Sequence, residues 1–170
     1  MFLAGADRIP HYKKYNPQDG TTVYRHEVYK VTNYTSALAR LEVYVAKGTL
    51  TELEEPGFIQ TFEFVSELAW NTIKDFYEDQ GVDAVSGTLG IQGSKDTIRL
   101  AVQRGLIRDG KAWFRLINDR NLTSHTYHEE LAKNIANNIR NEYIMLFREL
   151  AETLKPLSVQ VSLFDEEDAP

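Results

Sequence analysis

The side chains best suited to chemistry lie in one octapeptide, RNLTSHTY, residues 120–127. Histidine exchanges a proton near neutral pH, and here it is His125. Arginine holds two phosphate oxygens and stabilises charge as it develops, and here it is Arg120. Asn121 and Ser124 supply an amide and a hydroxyl that can orient reacting groups. Together these groups are suitable for cleaving a phosphodiester without a metal ion.

Whether these groups meet depends on where a helix ends. Arg120 and His125 are five residues apart, which places them about 140° apart on a continuous helix. A turn at residues 123–124 would allow the long arginine to reach the imidazole. Thr126, followed three residues later by Glu129, forms a capping-box pattern, which requires such a turn. The sequence therefore predicts a helix end, a turn and a new helix start within the octapeptide.

The same residues have a second, purely structural interpretation. Arg120 and His125 would then compensate the end of one helix, while Thr126 caps the next helix. In both interpretations Tyr127 occupies the first helical position, where free backbone N–H groups favour an anion. The spacing alone leaves both interpretations open.

Other candidate sites have less support. Two histidines and two glutamates lie close together at positions 125 and 128–130, but they lack the HExxH spacing, and the chain has no cysteine. We therefore predict no metal site. Glu63, Glu67 and Lys74 lie near one helical face, where we expect ion pairs and not a catalytic dyad.

Composition limits the class of protein. The chain has 170 residues, of which 42% are hydrophobic, enough for one domain with a substantial core. The first residues do not follow the pattern of a signal peptide and no apolar run has membrane-spanning length, so we expect a cytoplasmic protein that does not contact membranes. The net charge of −6 argues against general adhesion to nucleic acid, yet residues 95–128 carry seven basic and three acidic side chains. That basic zone is suited to a local phosphate ligand.

Helical periodicity dominates from about residue 34 onward. We predict helices at about residues 35–47, 56–80, 95–106, 111–122 and 126–154, with glycines or Pro156 at their ends. Four substantial helices and a shorter one indicate an all-α, up-and-down four-helix bundle over residues 34–155. Residues 1–33 form an arm, a short hairpin or a disordered segment. Residues 156–170 form a tail, whose LSVQVSLF alternates like a strand.

Several blocks in order resemble a known family: GFIQTFEFVSELAWNTIKDF, AVQRGLI, DGKAWFRLINDRNLTSHTY and IRNEYIMLF. They are similar to the nucleotidyltransferase substrate-binding protein family of the HEPN superfamily, which supplies the toxin of HEPN/MNT toxin-antitoxin modules. The resemblance covers about residues 34–154. It implies a HEPN-type bundle that homodimerises.

The resemblance also implies residue roles. The family's Arg-polar-x-x-x-His motif falls on Arg120, Asn121 and His125, and it supports metal-independent RNA cleavage that leaves a cyclic phosphate. His125 would be the acid/base, Arg120 the phosphate clamp and Asn121 a supporting residue. Tyr127 matches the tyrosine to which a partner nucleotidyltransferase antitoxin transfers AMP. No cofactor is expected in this chain, because ATP and Mg²⁺ would belong to the partner.

Two functions follow from this resemblance. The leading hypothesis is a toxin that cleaves RNA, with tRNA the expected substrate, and the candidates for contacting it are Arg108, Lys111, Arg115 and Ser124. The alternative is a non-catalytic subunit that binds substrate for a nucleotidyltransferase. The intact motif favours the first hypothesis, and the acidic net charge favours the second.

Overall fold

The protein is a helical bundle in a computed structural model that describes residues 13–15, 22–79, 90–124 and 129–165, with side chains in 30–78, 90–124 and 129–156. Two short antiparallel strands precede the helices and pair Lys13 with Tyr24. The elements are β1 (Lys13–Tyr15), β2 (Thr22–Tyr24), α1 (Arg25–Lys47), α2 (Glu55–Asp79), α3 (Gly93–Gln103), α4 (Gly110–Thr123), α5 (Glu129–Asn138), a π-helical segment (Ile139–Tyr143) and α6 (Ile144–Asp165).

Aromatic side chains from four helices and the π-helical segment form the centre of the core. Phe62 of α2 stacks on Tyr143, with ring centroids 5.8 Å apart, and lies 6.2 Å from Phe147 of α6. Trp113 of α4 meets Phe147 edge-on at 5.9 Å. The buried Tyr34 hydroxyl of α1 donates a hydrogen bond to the Phe147 carbonyl at 2.7 Å. These contacts join α1, α2, α4 and α6 around one core.

The predicted all-α bundle is confirmed, and three helices begin within two residues of their predicted starts. Helices α2, α3 and α4 start at Glu55, Gly93 and Gly110. Helix α1 stops where predicted, before Gly48, whose φ of +75° suits a residue without a side chain. In these regions the apolar stripe and the terminating residue indicate the same boundary.

The start of α1 was predicted wrongly. The helix begins at Arg25, ten residues before the predicted start, so the boundary predicted at residue 33 lies inside a helix. Val31 and Tyr34 are buried and continue the stripe of Leu38 and Leu41. β-branched residues in this stretch weaken the local helical signal, and burial of the stripe overrides it.

The end of the last helix was also predicted wrongly. The chain is helical from Glu129 to Asp165, where we expected a stop at Pro156 and a tail. Proline removes one backbone donor from a helix interior and normally breaks it. Helix α6 contacts α1 and strand β2, and such tertiary contacts are invisible to a local pattern. The π-helical segment, with its wider hydrogen bonds, was not predicted either.

None of the helices in the described part of the chain combines the length and apolar character needed to cross a bilayer.

Candidate functional site

Helix α4 places Arg120 in its last turn. The helix starts at an N-cap, where the Asp109 carboxylate accepts a hydrogen bond from the Ala112 N–H at 2.9 Å. Trp113 and Ile117 bury one face of α4 in the core, which fixes the rotation of the helix about its axis. Arg120 is therefore presented at a defined place, immediately before the chain turns.

The Arg120 guanidinium is held by a carboxylate of α2. Its Nη2 lies 3.2 Å from Oε2 of Glu67. Glu67 is itself oriented by two donors from its own helix, since Trp70 Nε1 reaches Oε2 at 3.2 Å and Asn71 Nδ2 reaches Oε1 at 3.2 Å. Because the Glu67 carboxylate is held in one orientation, it also orients the guanidinium that binds to it.

A second contact between α4 and α2 lies one turn away. The buried Thr123 hydroxyl lies within hydrogen-bonding distance of the Glu63 carboxylate and of the Arg120 carbonyl, the latter at 2.6 Å. A hydroxyl carries one proton and donates to one acceptor at a time. The bond to Arg120 closes the last turn of α4, and the bond to Glu63 joins that turn to α2. When Thr123 donates to Glu63, this glutamate and Glu67 both hold the end of α4 against α2.

Arg120 retains hydrogen-bonding capacity. Its side chain is 37% exposed, and Nη1 makes one long contact of 3.5 Å with the Asn121 amide oxygen. Nε is buried and has no hydrogen-bond partner among the described residues. A guanidinium has five N–H groups. The contacts seen in the described part of the chain engage two of them, so the terminal nitrogens can still bind an anion.

Asp119, next to Arg120, binds to a different part of the bundle from Arg120. Its carboxylate accepts hydrogen bonds from the Tyr143 hydroxyl at 2.6 Å and from the Asn138 amide at 2.9 Å. Burial, and then the hydrogen bond to Asp119, raise the pKa of Tyr143 well above the usual value for tyrosine. Tyr143 is therefore a neutral donor that ties α4 to the π-helical segment.

A cleft of about 850 Å³ opens beside the end of α4. Its walls come from the α1–α2 connection, the first half of α2, Thr123, helix α5 and Arg140. Thr123 and Glu129 line the cleft, and residues 124–127 of the octapeptide lie between these two residues in sequence. The cleft therefore adjoins the segment in which sequence analysis placed the chemistry.

The structure locates only part of the predicted motif. It brings Arg120 and Asn121 together, and Ser124 is exposed directly after α4. His125, Thr126, Tyr127 and His128 lie outside the described residues, as do the predicted capping box and the Arg120–His125 contact. The end of α4 at Thr123 agrees with the predicted turn.

The predicted RNA-contacting cations do not share one face with Arg120. Arg115 pairs with Glu142 of the π-helical segment, and this hydrogen bond raises the pKa of Arg115. Lys111 lies beside Phe114 and Arg99 of α3. Arg108 lines a groove that faces α6. The basic zone is therefore distributed around α4.

Ion pairs, and not a catalytic dyad, were predicted for Glu63, Glu67 and Lys74. Lys74 pairs with Glu78 on its own helix at 3.5 Å. Glu67 pairs with Arg120, which makes it part of the site. The sequence signal that could have pointed to Glu67 was the presence of two carboxylates one turn apart on a helix with an otherwise apolar stripe.

Among the described residues, no group of three or more histidine, aspartate or glutamate side chains is arranged to hold a metal ion. The two histidines at 125 and 128 are not among them.

Relatives agree with this architecture. The family model described as nucleotidyltransferase substrate binding protein like matches residues 29–156. A crystal structure from Thermus thermophilus has a TM-score of 0.61 and 30% identity, covering 71% of this chain and 98% of that one. A Haemophilus influenzae structure, described as revealing the fold of a substrate binding domain of a nucleotidyltransferase, has a TM-score of 0.62 and 29% identity, covering 74% and 98%.

One curated relative carries a functional name. The probable ribonuclease HepT of Haemophilus influenzae is 40% identical over 76 residues, which is 45% of this chain. The match spans about half of that protein, 51% of its length. Since the family model covers well over half of the chain and the fold agrees, the chain belongs to the nucleotidyltransferase substrate binding protein family.

Proposed function

We propose that this protein is a HEPN-type toxin that cleaves RNA without a metal ion, with tRNA as its substrate. The observation that carries the proposal is Arg120, anchored by Glu67 and partly exposed at the end of α4, with unused N–H donors. A relative named as a probable ribonuclease supports the reaction class.

The proposed reaction uses the RNA's own hydroxyl as the nucleophile. The ribose 2′-oxygen attacks the adjacent phosphorus and loses its proton, while the bond from phosphorus to the 5′-oxygen breaks and that oxygen gains a proton. His125 exchanges these protons. Arg120 binds the phosphate oxygens, on which negative charge increases in the transition state, and Asn121 supports it. The products are a cyclic phosphate and a 5′-hydroxyl.

The proposed regulation is covalent. A minimal nucleotidyltransferase antitoxin transfers AMP from ATP to the Tyr127 hydroxyl, with loss of pyrophosphate. The phosphate thus attached carries negative charge and lies seven residues from Arg120 in sequence. It would compete with an RNA phosphate for the same guanidinium. ATP and Mg²⁺ belong to the partner enzyme.

Cleavage in the presence of EDTA tests the reaction. Protein expressed without the nucleotidyltransferase should cut total tRNA in EDTA, whereas Arg120→Ala and His125→Ala should be at least about 100-fold slower. Cleavage by both variants at the wild-type rate refutes the ribonuclease proposal. So does the absence of cleavage by the AMP-free wild type.

Intact mass tests the switch. After co-expression with the nucleotidyltransferase, the mass should rise in steps of one AMP, and Tyr127→Phe should show no increase. A Tyr127→Phe protein that gains the same mass identifies a different acceptor.

A second function is favoured by one specific observation. The family description and the Haemophilus structure both refer to substrate binding for a nucleotidyltransferase. In that function the chain would present a substrate and catalyse nothing. Wild-type protein that binds the nucleotidyltransferase and stimulates its turnover on a third molecule, with no RNA cleavage in EDTA, supports this alternative.

The proposed homodimer has a candidate surface. Phe64 of α2 is 53% exposed and Leu122 of α4 is 41% exposed, and these two helices also carry Glu67 and Arg120. Exposed apolar side chains of this size are common at protein interfaces. Sedimentation should show a dimer for the wild type and a monomer for Phe64→Asp combined with Leu122→Asp. A variant that sediments as the wild type does places the interface elsewhere.

A further inference from the structure

We infer that the cleft between α2 and α5 is a nucleoside-binding subsite, which takes a base carrying an exocyclic amino group. The inference deepens the proposed function and rests on it for the source of the nucleoside. The volume of about 850 Å³ lies within the range of roughly 300–1,000 Å³ typical of small-molecule sites.

The position of the cleft links it to the phosphate site. Thr123 lines the cleft, and its hydroxyl lies 2.6 Å from the carbonyl of Arg120. Glu63 lines the cleft one turn along α2 from Glu67, the anchor of Arg120. A nucleotide whose phosphate lies at Arg120 therefore has this cleft beside it.

The charges in the cleft favour a base over a phosphate. The charged residues that line it are Glu52, Glu55, Glu63, Glu129, Lys133 and Arg140. The four carboxylates outnumber the two cations, and Lys133 is paired with Glu129 at 2.5 Å. Such a surface repels a phosphate and accepts hydrogen bonds from amino groups. The phosphate would stay outside, at Arg120.

Arg140 provides a planar surface for a base. Its guanidinium carbon lies 4.7 Å from the centre of the Phe58 ring, and Nη2 donates to the Gly48 carbonyl at 2.8 Å. These two contacts hold the guanidinium in one orientation, and the residue is only half-buried. Bases stack on arginine planes as well as on aromatic rings in RNA-binding proteins.

The remaining walls match the two kinds of surface that a base presents. Pro56, Ile59 and Ala136 are apolar and suit its faces. The amides of Gln60 and Asn137 are exposed and can each donate and accept hydrogen bonds along its edge. Adenine, cytosine and guanine can donate an amino proton to Glu63, and uracil cannot.

Binding of adenosine, monitored by NMR, tests the subsite on AMP-free protein. Wild type should bind adenosine saturably with a Kd of about 0.1–1 mM, as expected for a ligand of this size, and uridine more weakly. Ala136→Trp fills the cleft and should abolish binding, and Ala39→Trp, which adds the same side chain to an exposed site on α1, should not. The double variant Gln60→Ala/Asn137→Ala, which changes only exposed side chains, should weaken binding at least about fivefold.

Two further binding experiments identify the source of the nucleoside. If RNA supplies it, an RNA oligonucleotide should displace adenosine from His125→Ala, which keeps Arg120 and cannot cut the RNA. If AMP on the protein supplies it, co-expressed wild type carrying AMP should no longer bind adenosine. Adenosine binding that neither RNA nor AMP displaces overturns the link to this reaction.

The results separate this inference from the proposed function. Arg120→Ala should lose cleavage and keep adenosine binding. A wild type that cleaves RNA but does not bind adenosine refutes the subsite alone, and one that binds adenosine but does not cleave RNA refutes the ribonuclease alone.

Equal binding of uridine and adenosine, or unchanged adenosine binding by the cleft variants, overturns the subsite. So does a wild-type dimer that the cleft variants convert to a monomer, because the cleft would then be an interface.

Discussion

Arg120 is the residue on which the proposed chemistry depends, and it is not an isolated surface cation. Glu67 binds it, and Trp70 and Asn71 orient Glu67. The neighbouring carboxylate lowers the net charge available to a phosphate but fixes the direction of the guanidinium. In a reaction that requires charge stabilisation at a defined point, fixed direction contributes to rate.

Removing the anchor should therefore slow the reaction more than it weakens substrate binding. We expect Glu67→Ala to lower kcat about tenfold, equivalent to about 1.4 kcal/mol in the barrier, with KM unchanged or lower. Glu67→Gln, which keeps the accepting oxygen, should restore most of kcat. Steady-state kinetics with a tRNA substrate measures this separation.

Glu78→Ala is the matched control, since Glu78 lies on the same helix and pairs only with Lys74 in the described contacts. It should leave both constants within about twofold. An unchanged kcat in Glu67→Ala contradicts an anchoring role.

At the scale of the element, the start of α2 is fixed by a side-chain network. Glu54 accepts hydrogen bonds from the Thr51 N–H and hydroxyl, both at 3.0 Å, and from Lys47. The hydrogen bond from Lys47 and those from Thr51 lower the pKa of Glu54 from 4.5 to about 2. The network joins the end of α1 to the start of α2, which lines the cleft.

The stability contributed by Glu54 should depend on pH in one direction. Because its pKa is lowered on folding, the contribution is complete above about 4.5, decreases below it, and is lost as the pH falls through about 2. The melting temperature of Glu54→Gln should be below that of the wild type at pH 7. The difference should become smaller at pH 3. A difference that is constant over this range contradicts the assignment.

At the scale of the whole molecule, one aromatic core fixes the positions of four helices, two of which carry Arg120 and Glu67. Phe147 is fully buried and contacts Phe62 and Trp113, while its carbonyl accepts the Tyr34 hydroxyl. Phe147→Ala should reduce the free energy of unfolding by about 3–5 kcal/mol, through lost burial and the cavity left behind. Urea denaturation measures this loss. Phe147→Leu should cost less, and equal losses for both variants would show that ring packing is not the cause.

The sequence predicted the parts of the fold that local signals determine. The starts of α2, α3 and α4 follow from an apolar stripe and a boundary residue, and Gly48 marked the end of α1 correctly. The start at Arg25 and the helix through Pro156 depend on tertiary packing, which no local pattern contains. For the site, spacing identified Arg120 and a turn after it. The partner Glu67 lies 53 residues away in the chain, so only the fold could reveal it.

The central claim is that Arg120 acts on the scissile phosphate, and one rate ratio tests it most directly. Arg148 is a matched control, because it also pairs with a carboxylate on another helix, Glu42 of α1, and its described contacts include none of the residues that hold Arg120. With tRNA in EDTA, single-turnover cleavage by Arg148→Ala should stay within about twofold of the wild type, and Arg120→Ala should be at least about 100-fold slower. Equal rates for Arg120→Ala and Arg148→Ala would contradict the account.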